Sequence, residues 1–188
     1  MPGFRHLGDR LVHQGYIWHV SVSEYESPEG EVFQRDIVRS PGAVAAVPLW
    51  HSADGVPMVT IVRQYRAPFD AMVIEVPAGM RDVPGEPTEV TAARELVEEV
   101  GLVAGSLEHL VDIYPSAGMT DSVLTLYLAT QLTQVARETH GPEEAHMEVL
   151  QVPLAEAVQM VLRGEIRDSK TVVGLLIVER RLREAEPR

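Results

Sequence analysis

The segment Arg94-Glu95-Leu96-Val97-Glu98-Glu99-Val100-Gly101-Leu102 gathers acid where chemistry can use it. Read as a helix turning about 100° per residue, it sets Glu95, Glu98 and Glu99 at i, i+3 and i+4, so that three carboxylates share one face. The expected apolar stripe of Val90, Ala93, Leu96, Val97 and Val100 lies roughly opposite them. Gly101 supplies a stop, leaving the acids in the last two turns, where the helix dipole opposes each negative charge by about 0.3 to 1 kcal/mol. A solvated acidic face with Arg94 paired to Glu98 at i+4 accounts for one of these carboxylates. A divalent cation accounts for all of them. Mg²⁺ and Mn²⁺ take hard oxygen ligands, the ion reverses the sign of the repulsion, and an Arg in the adjoining row orients a ligand from behind.

The elements that must position this helix are legible from pattern. Residues 15–39 are rich in β-branched and aromatic side chains broken by Ser27-Pro28-Glu29-Gly30, which predicts two strands and a turn. Pro41-Gly42 breaks the chain before the short apolar run 43–49, expected as a buried strand. Asp54-Gly55 marks a turn, 58–65 the returning strand, and 71–76 a further apolar run ended by Pro77-Ala78-Gly79. The helix is expected over 88–100, strands over 107–114, 123–130 and 147–152, and closing helices over 154–163 and about 169–182. The expected fold class is α/β (α+β in some schemes), a mixed sheet sandwiched between helices. Residues 1–40 are expected to form an N-terminal strand unit and 41–188 the main domain.

Composition narrows the chemistry. The 188 residues suit one compact core. Sixteen Lys plus Arg against 28 Asp plus Glu give a net charge of −12, which argues against nucleic acid as a partner and requires a cation between these acids and any phosphorylated small molecule. With no Cys, disulfides, thiolate zinc sites, iron–sulfur clusters and a Cys nucleophile are excluded. No apolar run reads as a signal peptide or membrane span, and a cytoplasmic enzyme is the expectation.

Gly79, Glu86, Arg94, Glu95, Leu96, Glu98, Glu99, Gly101 and Leu102 resemble the Nudix box, Gly-x5-Glu-x7-Arg-Glu-hydrophobic-x-Glu-Glu-x-Gly-hydrophobic. The match is complete from Glu86 onward; six residues rather than five separate Gly79 from Glu86. The resemblance implies a Nudix fold and hydrolysis of a nucleoside diphosphate linked to another moiety. It also implies Glu95 and Glu99 as principal Mg²⁺ ligands (Mn²⁺ a substitute), Glu98 as a further ligand and the Ala78 carbonyl as a backbone ligand. Arg94 would orient the glutamates, and Glu86 would support the loop.

Three further stretches resemble the ADP-ribose pyrophosphatase branch: Ser40 to Val44, Val62-Arg63-Gln64-Tyr65-Arg66, and Glu75-Val76-Pro77-Ala78-Gly79. Residues 161–168 add to the likeness. It implies a homodimer in which the N-terminal strands help to form the partner's substrate site, and a loop Glu brought over the metals as base: Glu143, with Glu144 beside it. Arg66 and Arg63 end an apolar strand where a guanidinium fork can grip phosphate or ribose oxygens, and Arg35 is a third candidate. The alternative for each is an ordinary solvated charge. His140 and His146 are expected as surface residues.

Where the branch shows Pro-Gly-x-Ser/Thr-x-Glu, this chain has Ala117-Gly118-Met119-Thr120-Asp121-Ser122, so Ser122 replaces the acid and Asp121 stands as a partial substitute. The expected reaction is Mg²⁺-dependent cleavage of ADP-ribose or a related nucleoside diphosphate sugar, giving AMP and ribose 5-phosphate from the former. The alternatives are a Nudix pyrophosphatase for another sugar nucleotide or a dinucleotide, and a non-catalytic Nudix-like sensor.

Overall fold

The computed structural model describes residues 3–138 and 146–185. The chain divides into two compact units, Met1–Gly42 with Tyr114–Val123, and Ala43–Ile113 with Leu124–Arg188.

The first unit is an antiparallel sheet of β1 (Arg5–Gln14), β2 (His19–Glu26) and β3 (Val32–Arg39), in that order. The β2–β3 connection is the expected turn: Ser27 Oγ accepts the amides of Glu29 and Glu31, and Gly30 sits at φ 86°. The pattern does not predict β1. Every one of its residues is exposed, and its register is interrupted between His6 and Gly8 and between Leu11 and His13, so neither alternation nor an apolar run marks it. Within this unit Val38 donates its amide to the Met119 carbonyl, and Arg39 binds Asp9, Ser23 and Asp121.

The second unit is a mixed seven-stranded sheet. Its main path runs β10 (Glu148–Pro153), β5 (Pro57–Arg66), β4 (Ala43–His51), β9 (Leu124–Gln134) and β8 (Leu102–Ile113). β6 (Ala71–Glu75) extends the pairing of β5, and the three-residue β7 (Ala78–Met80) pairs with the start of β4. β4 and β9 run parallel; the other pairs are antiparallel.

β4 reads as an unbroken apolar run because both of its faces are covered. Val44 and Ala46 join Val62, Tyr127 and Ala129 under α1 (Thr88–Val100), which contributes Ala92, Leu96 and Val100. Ala45, Val47 and Leu49 point the other way, with Val59, Ile61 and Leu126, under α2 (Leu154–Leu162) and α3 (Ser169–Ala185). Two helical layers thus enclose the sheet, as the alternation of element types requires. Leu96 is fully buried, so Leu96→Ala is expected to cost about 3 kcal/mol of stability in a denaturant titration, because the sheet beneath cannot collapse onto the void. Among the described residues no helix is long and apolar enough to cross a membrane.

Candidate active site

The α1 helix begins after Pro87, whose carbonyl receives the amides of Val90 and Thr91. It ends at Gly101, whose φ of 65° puts it in the left-handed region and lets its N–H return to the Val97 carbonyl at 3.0 Å. The helix limits are those the sequence predicts, but its orientation differs from expectation. Val90 and Ala93 are exposed, whereas Thr91, Ala92, Leu96, Glu99 and Val100 are buried. The acids therefore lie along the flank of the buried face rather than opposite it. Glu95 and Glu98 keep about an eighth of their side-chain surface accessible, and Glu99 is 5% exposed. On the buried face Glu99 meets β7: Ala78 donates its amide to Glu99 Oε2 at 2.8 Å, so a carboxylate stands where a stripe would place an aliphatic side chain.

Arg94 does more than pair with Glu98, which corrects the one-carboxylate expectation. Its guanidinium reaches Glu95 Oε1 at 3.0 Å, Glu98 Oε2 at 3.1 Å, Asp82 Oδ1 at 3.4 Å and Glu86 Oε2 at 3.6 Å. Partial burial opposes its charge, but Glu95, Glu98, Glu86 and Asp82 together outweigh burial and raise its pKa above the ordinary Arg value. Glu86 accepts a hydrogen bond from the Thr91 hydroxyl at 2.7 Å, so the longer loop after Gly79 still delivers it to the helix. The loop ends in a turn in which Gly85 has φ 78° and Glu86 N–H bonds the Val83 carbonyl.

Glu99 is a buried acid beside a second acid, Glu95. Burial raises its pKa to about 8; the Ala78 amide acts the other way, neighbouring Glu95 raises it further, and Arg66 and Lys170 lower it. Glu95 lies against Gly79, where a Cβ would come within 1.9 Å of its carboxyl carbon. Glu95, Glu98 and Glu99 carry hard carboxylate oxygens of the kind that Mg²⁺ or Mn²⁺ takes, and the space that Glu95 occupies exists only because residue 79 has no side chain. Among the described residues no three Asp, Glu, His or Cys side chains converge on a single point, and Arg94 is the cation that Glu95 and Glu98 share.

Arg66 turns its Nε and Nη2 to Glu75, at 2.6 and 2.7 Å, in a bidentate pair. The Glu75 hydrogen bonds outweigh desolvation and raise its pKa, with smaller contributions from Glu99 and Asp168. Glu75 is 2% exposed and also binds Lys170; burial opposes its charge, yet the two cations hold its pKa below the ordinary value. Arg63 pairs with Glu148 across β5 and β10 at 2.9 Å, with both side chains about half exposed. Arg35 belongs to the first unit, where its guanidinium stands 4.7 Å over the Phe33 ring. Glu143, Glu144 and His140 lie outside the described residues; His146 is exposed.

Sequence reasoning assigned no role to Asp82, Glu75, Asp168, Lys170 or Thr171. A signal was present for two of them: Glu75 interrupts the apolar run Ala71 to Val76, and Lys170 opens a helix whose following residues are Val172, Val173, Leu175 and Leu176. A charge inside an apolar pattern marks either an exposed edge or a buried pair. Here it is the buried pair.

Residues 39–173 match the family model described as NUDIX domain. An ADP-ribose pyrophosphatase of Mycobacterium tuberculosis is 40% identical over 93% of this chain and 83% of its own length. An ADP-ribose pyrophosphatase of Bacillus subtilis is 32% identical over 95% and 93%. A solved structure titled as that of an ADP compounds hydrolase superposes with a TM-score of 0.82, covering 98% of this chain and 96% of its own at 21% identity, which speaks to the fold. With the box glutamates gathered on α1 around Gly79 and Arg94, and with this extent of similarity, the chain belongs to the Nudix family.

Proposed function

We propose that this Nudix protein hydrolyses the pyrophosphate bond of ADP-ribose or a related nucleoside diphosphate sugar with Mg²⁺, releasing AMP and ribose 5-phosphate from ADP-ribose. The observation that carries the reading is the buried Glu99 carboxylate, tied to the Ala78 amide and neighboured by Glu95 in the slot beside Gly79. Glu95, Glu99, Glu98 and the Ala78 carbonyl would hold the ion. Bound there, Mg²⁺ would neutralise the pyrophosphate and lower the pKa of an attacking water. Arg94 orients Glu95 and Glu98, and Glu86 holds the loop through Thr91. Arg63, Arg66 and Arg35 are the cations proposed for substrate oxygens, Arg66 with one edge already committed to Glu75. Glu143 is proposed as the base, with Glu144 as the alternative.

The test is to incubate the protein with ADP-ribose and Mg²⁺ and separate the products by ion-exchange chromatography. AMP and ribose 5-phosphate in equal amounts, abolished by EDTA, are expected. Tight binding of ADP-ribose without AMP release would instead favour a sensor.

A second reading, preference for another sugar nucleotide or a dinucleotide, draws support from Ala117 and Ser122. Asp121, the candidate stand-in for the missing Glu, is occupied: its carboxylate binds Arg39 at 3.0 Å and the Ser40 amide at 3.1 Å. Comparing kcat/KM across a nucleotide panel separates the two. A homodimer formed through the N-terminal strand unit belongs to the same proposal, supported by the exposed apolar side chains Phe4, Leu11, Val12, Tyr16 and Trp18. So does a cytoplasmic location.

The raised pKa of Glu99 sets how the ion should bind. At pH 7 the carboxyl keeps its proton, because its pKa is about 8. An incoming cation must displace that proton, so affinity for Mn²⁺ is expected to rise about tenfold per pH unit up to about pH 8 and then level off. Titration calorimetry in buffers of different ionisation enthalpy should register about one proton released per ion at neutral pH. Affinity independent of pH between about 6 and 8 would show that the ion displaces no proton from Glu99 on binding.

A further inference from the structure

Lys170 is charged, only 7% exposed, and far in sequence from the glutamates of α1. Its Nζ binds Glu75 Oε2 and lies 3.0 Å from Asp168 Oδ1. Asp168 precedes α3 and accepts both the amide and the hydroxyl of Thr171, at 3.0 and 2.6 Å, which fixes the first turn of that helix. The Thr171 hydroxyl oxygen in turn accepts the Val76 amide at 2.8 Å. The start of α3 therefore grips two successive residues where β6 leads into β7, the strand end Glu75 by its carboxylate and Val76 by its backbone. Two residues further on, Ala78 donates its amide to Glu99. Arg66 closes the arrangement from β5 by its bidentate pair with Glu75.

We propose that Asp168, Lys170 and Thr171 form a positioning clamp that holds the Glu75–Ala78 segment, and thereby the Ala78 backbone and the Glu99 carboxylate, in the register needed to receive a divalent cation. The clamp rests on the functional reading above, since it acts on the groups assigned there as ligands. Its members touch neither substrate nor ion. A purely structural ion pair would answer to the same hydrogen bonds, but replacing it by a Met of similar length would then cost stability alone. A clamp acting on the ligands changes ion affinity and turnover as well, because the segment it holds carries the Ala78 backbone that meets Glu99.

The experiment compares Lys170→Met with Val178→Ala, a fully buried position on the same helix away from the clamp. Mn²⁺ affinity of the metal-free proteins is read by titration calorimetry, kcat and KM are read with ADP-ribose, and thermal melts place both variants on one stability scale. Lys170→Met is expected to weaken Mn²⁺ binding about tenfold and lower kcat about tenfold. Val178→Ala is expected to lower the melting temperature without either change. The clamp is overturned if Lys170→Met keeps both Mn²⁺ affinity and kcat within about twofold, or if Val178→Ala reproduces its losses. Should Lys170→Met fail to fold, Thr171→Val, which removes only the bond to the Val76 amide and the Asp168 contact of the hydroxyl, carries the same two criteria. If the unaltered protein neither binds Mn²⁺ nor releases AMP, it is the functional reading that fails, an outcome that no clamp variant can mimic.

Discussion

Glu99→Gln is expected to lower kcat for ADP-ribose hydrolysis by about three orders of magnitude, roughly 4 kcal/mol of transition-state stabilisation, while leaving the metal-free protein as stable as before or more so. The two halves of this expectation have one cause. In the buried site the Glu99 carboxyl holds its proton up to about pH 8, whereas in the unfolded chain it ionises near its ordinary value of 4.5. The folded state therefore binds the extra proton between those limits, and stability falls as pH rises through that window. A neutral amide matches the protonated acid in shape, and its oxygen can still accept the Ala78 amide, so Gln escapes this loss. It cannot supply the negative oxygen that a divalent ion needs.

Steady-state kinetics at saturating Mg²⁺, with thermal melts at pH 6 and 9, check both halves. Glu95→Gln should show a comparable kinetic defect, with a small loss of stability from its weakened pairing to Arg94. Turnover within tenfold of the unaltered enzyme in the Glu99 variant would remove the basis of the proposed chemistry.

How much of this was legible before the structure depends on the range over which each feature is determined. The limits of α1 are local: an apolar-periodic stretch ended by a glycine that must take a positive φ. They are read correctly. Which face of α1 is buried is not local. Val90 and Ala93 fit an apolar stripe as well as Ala92 does, and the buried face instead meets the demand of the Ala78 amide for an acceptor through Glu99. That demand belongs to β7, a three-residue strand too short to leave a periodic trace and legible only as the end of an apolar run. The same holds for Arg94. Its i+4 partner is predictable, but Asp82 and Glu86 reach it only once the loop has folded back.

The division of labour among the cations is the part least open to sequence reasoning. Arg66 reads as a free fork at the end of a strand, yet β6 lies beside β5 and places Glu75 where both arms can be used. Lys170 arrives from a helix 95 positions further along the chain. Both pairings come from tertiary register, so only an unexpected charge within an apolar pattern could have hinted at them. Glu143 and Glu144 are the opposite case, named through family resemblance alone and lying outside the described residues.

Gly79→Ala should damage activity far more than stability. A methyl group there would stand 1.9 Å from the Glu95 carboxyl carbon and 2.1 and 2.4 Å from its two oxygens, so the carboxylate must leave its place. The backbone itself offers no objection, since residue 79 does not require a positive φ and is paired with Val44 in the sheet. The obstructing group is the far end of a flexible side chain at the edge of the buried face, and Glu95 can swing outward at little cost. The predicted signature is thus a loss of stability below about 1 kcal/mol together with a drop in kcat of about a hundredfold, because a ligand displaced by an ångström or more no longer meets the ion and substrate in their reactive geometry. This is the inverse of Leu96→Ala, at the helix residue next to Glu95, where stability suffers and the acids remain. Measuring both variants by denaturant titration and by AMP release places them at opposite corners of a stability–activity plot. If Gly79→Ala retained kcat within about threefold, Glu95 would not need the slot beside Gly79 to function, and the role assigned to the close approach of β7 and α1 would be lost.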